Sequence, residues 1–196
     1  MRTLEGLFDG IRRCDACGLH RYRDQAVLPE GNLSSRIMMI AQSPGETENR
    51  TGRMFTGPSG RIFDMLLEAS GVRREDFYLT NLIKCMLPGA RRPSRQERKS
   101  CAVWLEEEIR LVQPRILIPL GFHALRHLLI REDHPRPPKN EYHRLFGRYL
   151  STRHFLLYPL RHPTALLFNP EMKEMMLSQY AELRKIVEKY GPESER

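Results

Sequence analysis

The segment IAQSPGETENRTGRMFTGPSGRIFDMLL, residues 40–67, joins a hydrophobic strand to an amphipathic helix through a loop that holds four glycines and two prolines. Glycine lets the backbone approach a ligand closely or adopt positive φ, and proline fixes a loop in one conformation. Few side chains between the strand and the helix could be buried in a core. A loop of this kind at the end of a strand predicts a site for a flat or anionic ligand.

Apolar segments predict four strands, and helical patterns lie between them. The strands are expected at 36–42, 77–83, 115–121 and 154–160, and the helices at 3–13, 59–71, 94–112, 122–130 and from 169 onward. Ser94 and Glu97 form a capping-box pattern, and Asn169 with Pro170 is expected to open the last helix. Because strands alternate with helices, we expect an α/β three-layer sandwich in which a central, mostly parallel four-stranded sheet is flanked by helices.

The polar segments that follow these strands are unusual in composition. They read SPGETEN, TNLIKC, LGFH and RHPTALL. In open α/β sheets, ligands bind beyond the carboxyl ends of the strands. We therefore expect these four segments to converge on one site.

Length, composition and charge restrict the classes of protein to consider. A chain of 196 residues with 40% hydrophobic and 29% charged residues is expected to form one domain, residues 1–196. No apolar run approaches the roughly 20 residues that span a bilayer, and no signal segment is evident, so we expect a cytoplasmic monomer that does not bind membranes. The net charge of +8 favours a polyanionic partner such as nucleic acid, although a merely basic protein would carry the same charge.

Four cysteines form a possible ligand set: Cys14, Cys17, Cys85 and Cys101. Structural disulfides are rare in cytosolic proteins, whereas four thiolates can bind zinc or an iron–sulfur cluster. The spacing does not choose between the two metals, and scattered buried cysteines are the remaining alternative. A bound metal group would tie the N-terminal arm, residues 1–30, to the edge of the sheet.

The order of these motifs resembles that of the family 4 uracil-DNA glycosylases, the iron–sulfur members of their superfamily. The resemblance extends from about Cys14 to Pro170 and includes the P-G pair, GRMFTGPSG, TNLIKC, the helical cysteine, L-G and H-P. It implies a uracil-DNA glycosylase-like fold and uracil-containing DNA, single- or double-stranded, as the partner. It also implies that the four cysteines hold a 4Fe–4S cluster.

Three residues match positions that contact the substrate in this family. Phe55 matches the phenylalanine that stacks on the flipped uracil, and Asn81 matches the asparagine that hydrogen-bonds the uracil edge. His162 matches the histidine that faces the uracil carbonyl oxygen. An asparagine amide carries both a donor and an acceptor, so Asn81 can pair with O4 and N3–H of uracil. Base flipping requires such a close pocket around the extruded base.

The first motif of the family, G-E-x-P-G, reads here Ala41-Gln42-Ser43-Pro44-Gly45. The resemblance implies that Ser43, Pro44 and Gly45 contact the base and neighbouring phosphates. Neither Gln42 nor Ser43 is a carboxylate. Gln42 can therefore orient the attacking water but cannot accept its proton at neutral pH.

The missing carboxylate leaves the catalytic group and the substrate open. Glu46 and Glu48 are nearby acids, and Glu48 matches a position that is frequently acidic in the family, so it is a candidate catalytic residue. The expected activity is excision of uracil from DNA by base flipping and hydrolysis of the N-glycosidic bond. The alternatives are a glycosylase for hypoxanthine or xanthine, and a catalytically weak iron–sulfur protein that binds uracil-containing DNA.

Overall fold

The computed structural model of the protein describes residues 3–191. Its sheet contains six strands: β1 (Glu30–Gly31), β2 (Ile37–Ala41), β3 (Tyr78–Asn81), β4 (Ile116–Pro119), β5 (Leu150–Ser151) and β6 (Leu156–Leu157). The spatial order is β1-β3-β2-β4-β6-β5. The four central strands are parallel, and the two outer strands pair antiparallel with their neighbours.

The prediction of four strands was therefore wrong in number, because the sheet is a mixed sheet of six. The two additional strands, β1 and β5, contain two residues each. A segment that short has no periodicity to detect, so its pairing depends only on where the chain passes the edge of the sheet. The expected strand at 154–160 is reduced to Leu156–Leu157, with one further bridge from Leu160 to Leu120.

Eight α-helices occur in the described residues: α1 (Leu4–Arg13), α2 (Glu46–Thr51), α3 (Pro58–Ala69), α4 (Arg95–Val112), α5 (Phe122–Arg131), α6 (Thr164–Phe168), α7 (Lys173–Ala181) and α8 (Leu183–Tyr190). The capping box before α4 is present, because the Ser94 amide donates to Glu97 and the Glu97 amide donates to the Ser94 hydroxyl. The single final helix predicted from Asn169 is wrong. A 3-10 turn, α7 and α8 take its place, and the Asn169 side chain caps none of them.

Helices cover both faces of the sheet, which gives the expected three layers. Met38 and Ile40 of β2 lie in a core that includes residues of α4 and α5. Ile37 and Met39 point to the opposite face, into a core with residues of α3, α7 and α8. Burial on both faces explains the continuous apolar run of β2.

The parallel register brings the carboxyl ends of the central strands to one edge of the sheet. Ala41 is paired with Asn81, and Ile40 is paired with Pro119. The amides of Leu82 and Ile83 continue this alignment by donating to the carbonyls of Ala41 and Gln42. The polar segments after β2, β3 and β4 therefore begin side by side. Within residues 3–191, no helix has the length and apolar character needed to cross a bilayer.

Candidate active site and cysteine cluster

A pocket of about 970 Å³ opens at the carboxyl ends of the central strands. Every residue expected to bind or act on the substrate lines it: Gln42, Ser43, Pro44, Gly45, Glu48, Phe55, Asn81 and His162. Residues 42–55, Asn81 and His162 stand far apart in the sequence and follow different strands, so the fold and not local spacing brings them together. The structure thus places the predicted residues at one site, and their chemical roles stay predictions.

Phe55 is held in a backbone conformation that only glycine adopts freely. Its φ is 52°, and such strain persists where the surroundings enforce it. The Arg74 guanidinium donates to the carbonyls of Met54 and Phe55 at 2.9 and 2.7 Å. Asp64 in turn holds Arg74 through two hydrogen bonds. A Cβ on Gly60 would lie 1.9 Å from the Phe55 carbonyl oxygen, so this packing also requires a glycine there.

The strained backbone directs the Phe55 ring into the pocket. The ring stacks on Phe63, with centroids 4.3 Å apart and an interplanar angle of 24°. Its centroid lies 5.9 Å from that of the His162 ring. Phe55 therefore has one face supported by the core and stands close to the second predicted substrate contact.

Asn81 ends β3 and is almost completely buried at the edge of the pocket. Its amide nitrogen Nδ2 lies 3.0 Å from the Met54 sulfur and donates to it. The amide nitrogen has two hydrogens, so one remains, together with the oxygen Oδ1, to meet a ligand. Met54 therefore orients the amide, a role that its sequence position did not reveal.

The hydrogen bonds of His162 determine which of its nitrogens carries the proton. The Thr164 backbone N–H donates to Nδ1 at 3.2 Å, so Nδ1 is an acceptor. Burial lowers the pKa of His162 to about 4, against a weaker opposing effect of the Glu48 charge. The ring is therefore neutral at physiological pH and carries its proton on Nε2. Such a ring can donate one hydrogen bond from Nε2 without bringing a charge.

Glu48 is the buried acid of the pocket wall, whereas Glu46 and Asp24 are exposed there. Its Oε1 accepts the amide of Gly57, the N-cap residue of α3, at 2.8 Å. A Cβ on Gly45 would lie 2.7 Å from the other oxygen, Oε2. Glycine at 45 thus leaves room for the carboxylate, which lies at the N-terminus of α3 and accepts a hydrogen bond there.

Gln42 and Ser43 are both half-buried on the wall of the pocket. The Gln42 backbone carbonyl is occupied by the Ile83 amide. Its side-chain amide makes no hydrogen bond to any residue in the described range 3–191. An uncharged amide that is free in this way can position a water molecule or a substrate oxygen.

The four cysteines, Cys14, Cys17, Cys85 and Cys101, line one small cavity and form no disulfide. Protein N–H groups reach three of the sulfurs: Trp104 Nε1 donates to Cys14, the Arg23 guanidinium to Cys85, and the Lys84 amide to Cys101, at 3.2–3.3 Å. Such N–H to sulfur bonds are characteristic of the surroundings that stabilise iron–sulfur ligands.

A single metal ion and an iron–sulfur cluster require different spacings of four sulfurs. Among residues 3–191, no three His, Cys, Asp or Glu side chains approach closely enough to bind one metal ion. In a 4Fe–4S cluster each cysteine binds a different iron, so the four sulfurs need not meet at one point. Burial raises the pKa of Cys101 to about 11 and also raises that of Cys85. Because cysteine ligands are thiolates, metal binding here would release protons.

A buried ion pair connects the cysteine cavity with the pocket. Lys84 is 2% exposed and Glu108 is 0% exposed, and the two side chains are in direct contact. Lys84 Nζ also donates to Thr80 Oγ1 at 2.7 Å and to the Asn81 carbonyl at 2.8 Å. Its backbone amide is the donor to Cys101. Lys84 therefore contacts the backbone of a predicted substrate residue with its side chain and a predicted cluster ligand with its main chain.

Sequence reasoning missed two residues that position the site, Arg74 and Lys84. Arg74 stands in a charged stretch that predicts a solvated surface, and a lysine after a strand is expected to be exposed. Only the TNLIKC motif itself singled out the neighbourhood of Lys84. The contacts that matter join residues far apart in sequence, so no local pattern predicts them.

Residues 28–188 match the family model described as the Uracil DNA glycosylase superfamily, and the chain belongs to this superfamily. It is 31% identical over 189 residues to a type-4 uracil-DNA glycosylase of Saccharolobus solfataricus. These residues are 94% of this chain and 86% of the relative. A type-4 enzyme of Thermotoga maritima is 39% identical over 122 residues, 62% of this chain and 64% of the relative. One of Archaeoglobus fulgidus is 26% identical over 196 residues, 98% and 97% of the two chains. Within the superfamily, the chain belongs to the type-4 group.

Proposed function

We propose that this protein is a DNA repair glycosylase that excises uracil from DNA. The observation that carries the proposal is the convergence of Phe55, Asn81 and His162 on one pocket at the carboxyl ends of the strands. The similar proteins bear the name type-4 uracil-DNA glycosylase. The reaction is a hydrolysis in which the bond between C1′ of the deoxyribose and N1 of uracil breaks, and water supplies the new oxygen at C1′.

Base recognition divides between a ring and an amide. The uracil stacks on the face of Phe55 that is turned away from Phe63, and a base–aromatic stack contributes about 1–3 kcal/mol. Asn81 Oδ1 accepts from uracil N3–H, while the Nδ2 hydrogen not directed at Met54 donates to O4. Cytosine presents a donor and an acceptor in the reverse positions, so this amide orientation would leave it mispaired. The Met54 contact supports the proposal because it fixes the orientation of the amide.

His162 stabilises the leaving group. As the glycosidic bond breaks, its electron pair moves onto the base and the uracil O2 gains negative charge. A neutral imidazole that donates from Nε2 can meet this charge, and a preorganised donor of this kind typically contributes about 10²–10³ in rate. The hydrogen bond from the Thr164 amide to Nδ1 supports this assignment because it places the proton on Nε2.

Gln42 and Glu48 serve the water and the sugar. The free side-chain amide of Gln42 orients the water that attacks C1′. Glu48 is the buried carboxylate of the pocket, and its negative charge stabilises the positive charge that develops on the sugar. Ser43, Pro44 and Gly45 form the wall against which the extruded nucleotide rests. Glu48, which belongs to α2, thereby supplies the carboxylate that positions 42 and 43 lack.

We propose that Cys14, Cys17, Cys85 and Cys101 hold a 4Fe–4S cluster, which ties the N-terminal arm, residues 1–30, to the sheet within one domain, residues 1–196. The convergence of the four thiols and the three N–H donors supports this ligand set. The cluster supplies a structural cross-link, and the steps of base excision are carried out by the residues of the pocket. The cytoplasmic location and the monomeric state stay predictions.

The alternatives are less well supported. A glycosylase for hypoxanthine or xanthine would need room for a two-ring purine between Phe55 and Asn81. No described residue of the pocket favours a purine over uracil. A protein that only binds uracil-containing DNA was suggested by the missing carboxylate at 42 and 43. The buried carboxylate of Glu48 in the pocket weakens this argument for a protein that binds without catalysis.

The test is uracil release from single- and double-stranded oligonucleotides that contain one uracil. We expect release by the natural protein, and a loss of about 10³-fold in the Asn81→Ala variant, because the paired groups of the base are left without partners. Asn140→Ala removes an exposed asparagine and serves as the matched control, with an unchanged rate. Oligonucleotides with hypoxanthine or xanthine test the substrate range. An unchanged rate in Asn81→Ala would refute the assignment.

A further inference from the structure

A second groove adjoins the pocket on the side of α5. Its volume is about 350 Å³, within the range of ligand sites in proteins. Gln42, Phe122 and His123 line both the groove and the pocket. These three side chains form the boundary between the two, so a ligand chain bound in the pocket can reach the groove by passing over them.

The rim of the groove is cationic, and none of the described residues that line it is an acid. Arg92, Arg98, Arg126 and Lys139 line it, and all four are exposed. Together with burial, their charges lower the pKa of His123, which indicates that their fields add at the groove. Such a concentration of like charge attracts anions to the groove.

Some arginines of the protein form ion pairs with acids, as Arg74 does with Asp64 and Arg131 does with Glu106. Within residues 3–191, none of the four groove cations forms an ion pair with an acid. Arg98 donates only to a backbone carbonyl, that of Pro93. The groove therefore retains its charge for a ligand.

The floor of the groove adds an apolar surface and an unused polar atom. Leu82, Ile83 and Ile130 contribute apolar side chains. His127 Nε2 is buried there and has no hydrogen-bond partner among the described residues. An apolar floor below a cationic rim suits a segment with a phosphate and a sugar or base better than it suits a free inorganic anion.

We propose that this groove binds the sugar–phosphate backbone of the DNA strand on one side of the extruded uridine. The inference rests on the proposed function for the position of the uridine. Phosphates contact Arg126 and Lys139 at the rim, and the neighbouring nucleotide lies over the apolar floor. The groove thereby determines the direction in which the strand leaves the pocket.

The experiment measures the affinity of the whole protein for a short single-stranded oligonucleotide whose central 2′-fluoro-deoxyuridine resists cleavage. The groove variant is Arg126→Ala/Lys139→Ala. Its matched control, Arg115→Ala/Arg153→Ala, removes two exposed charges that precede β4 and β6, at the opposite edge of the sheet. The slope of log K against log salt is negative, and we expect it to become shallower by about 1.4 in the groove variant. The affinity at 0.1 M salt should fall about 10- to 30-fold.

Neutral methylphosphonate linkages then identify the phosphate. In the natural protein, neutralising one or two adjacent linkages on one side of the uridine should weaken binding, and in the groove variant this effect should disappear. Non-additivity of this kind marks a direct contact. Equal losses in the groove and control variants, or additive losses at every linkage, would overturn the proposal.

Two readouts separate this proposal from the proposed function. If the protein binds thymine- and uracil-containing strands equally and releases no uracil, the proposed function fails, while the methylphosphonate coupling still tests the groove. If uracil is released but the groove variant binds like the control, the groove proposal alone fails.

Discussion

The pocket and the cysteine cavity begin at the same strand, β3, and yet they are built in opposite ways. In the cavity, protein N–H groups already reach three of the four sulfurs. In the pocket, the Gln42 side chain has no partner within the described part of the chain, and the Asn81 and His162 groups are only half satisfied. This difference agrees with the proposed roles, in which the cavity holds a permanent group and the pocket takes a ligand that binds and leaves.

Lys84 lies between the two regions, so its replacement has the largest expected effect. Lys84→Met leaves Glu108 buried without a cation, and breaking such a pair costs about 3–5 kcal/mol in the free energy of unfolding. Urea denaturation measures this loss. The double variant Lys84→Met/Glu108→Leu should recover much of it, and Lys185→Met, which breaks an exposed pair with Glu182, should change the stability by less than about 1 kcal/mol. If Lys84→Met lowers the free energy of unfolding by less than about 1 kcal/mol, as the exposed pair does, the buried ion pair does not hold the two regions together.

A second change affects the pocket and spares the cavity. His162→Ala removes the proposed donor to the uracil O2, and we expect kcat to fall by about 10²–10³ with KM little changed. Single-turnover kinetics measure the chemical step. His143→Ala removes an exposed histidine and should retain the natural rate. A rise in KM with kcat unchanged, or an equal effect of both variants, would contradict the role of His162 in stabilising the leaving group.

The stacking surface gives a smaller effect that appears in binding. Phe55→Ala should weaken the affinity for uracil-containing DNA by about 5- to 150-fold, because a base–aromatic stack is worth about 1–3 kcal/mol. Equilibrium titration with an uncleavable oligonucleotide measures it. Phe55→Leu keeps an apolar side chain and should lose most of the same affinity. If the leucine variant binds like the natural protein, the ring fills space and does not stack on the base.

The pH dependence is expected to be small. The pKa of His162 is about 4 in the folded protein, whereas the pKa of a histidine in an unfolded chain is about 6.5. The active neutral form therefore persists as the pH falls from 8 to 5, and kcat should show no inflection near pH 6.5. The unfolded chain binds a proton in the window between the two values, so this residue lowers the stability as the pH falls through it. An inflection of kcat near pH 6.5 that His162→Ala abolishes would contradict the assigned environment.

The sequence predicted the central elements well because their signals are local. The apolar runs of β2, β3 and β4 and the capping box of α4 lie where expected, within a few residues at each end. The edge strands β1 and β5 and the break between α7 and α8 were missed or wrong. Those features depend on what the chain packs against, and two-residue pairings carry no periodic pattern.

Residue types and order alone determined the family, the four cysteines and the residues of the pocket, because chemistry requires particular side chains after particular strands. Tertiary structure alone decided how these groups are aimed. The Arg74 contacts that hold Phe55 at positive φ, the Met54 sulfur beside the Asn81 amide and the Lys84–Glu108 pair all join distant segments. Their geometry follows from packing helices on both faces of a sheet, and a linear sequence does not display which side chains that packing brings within 3 Å of one another.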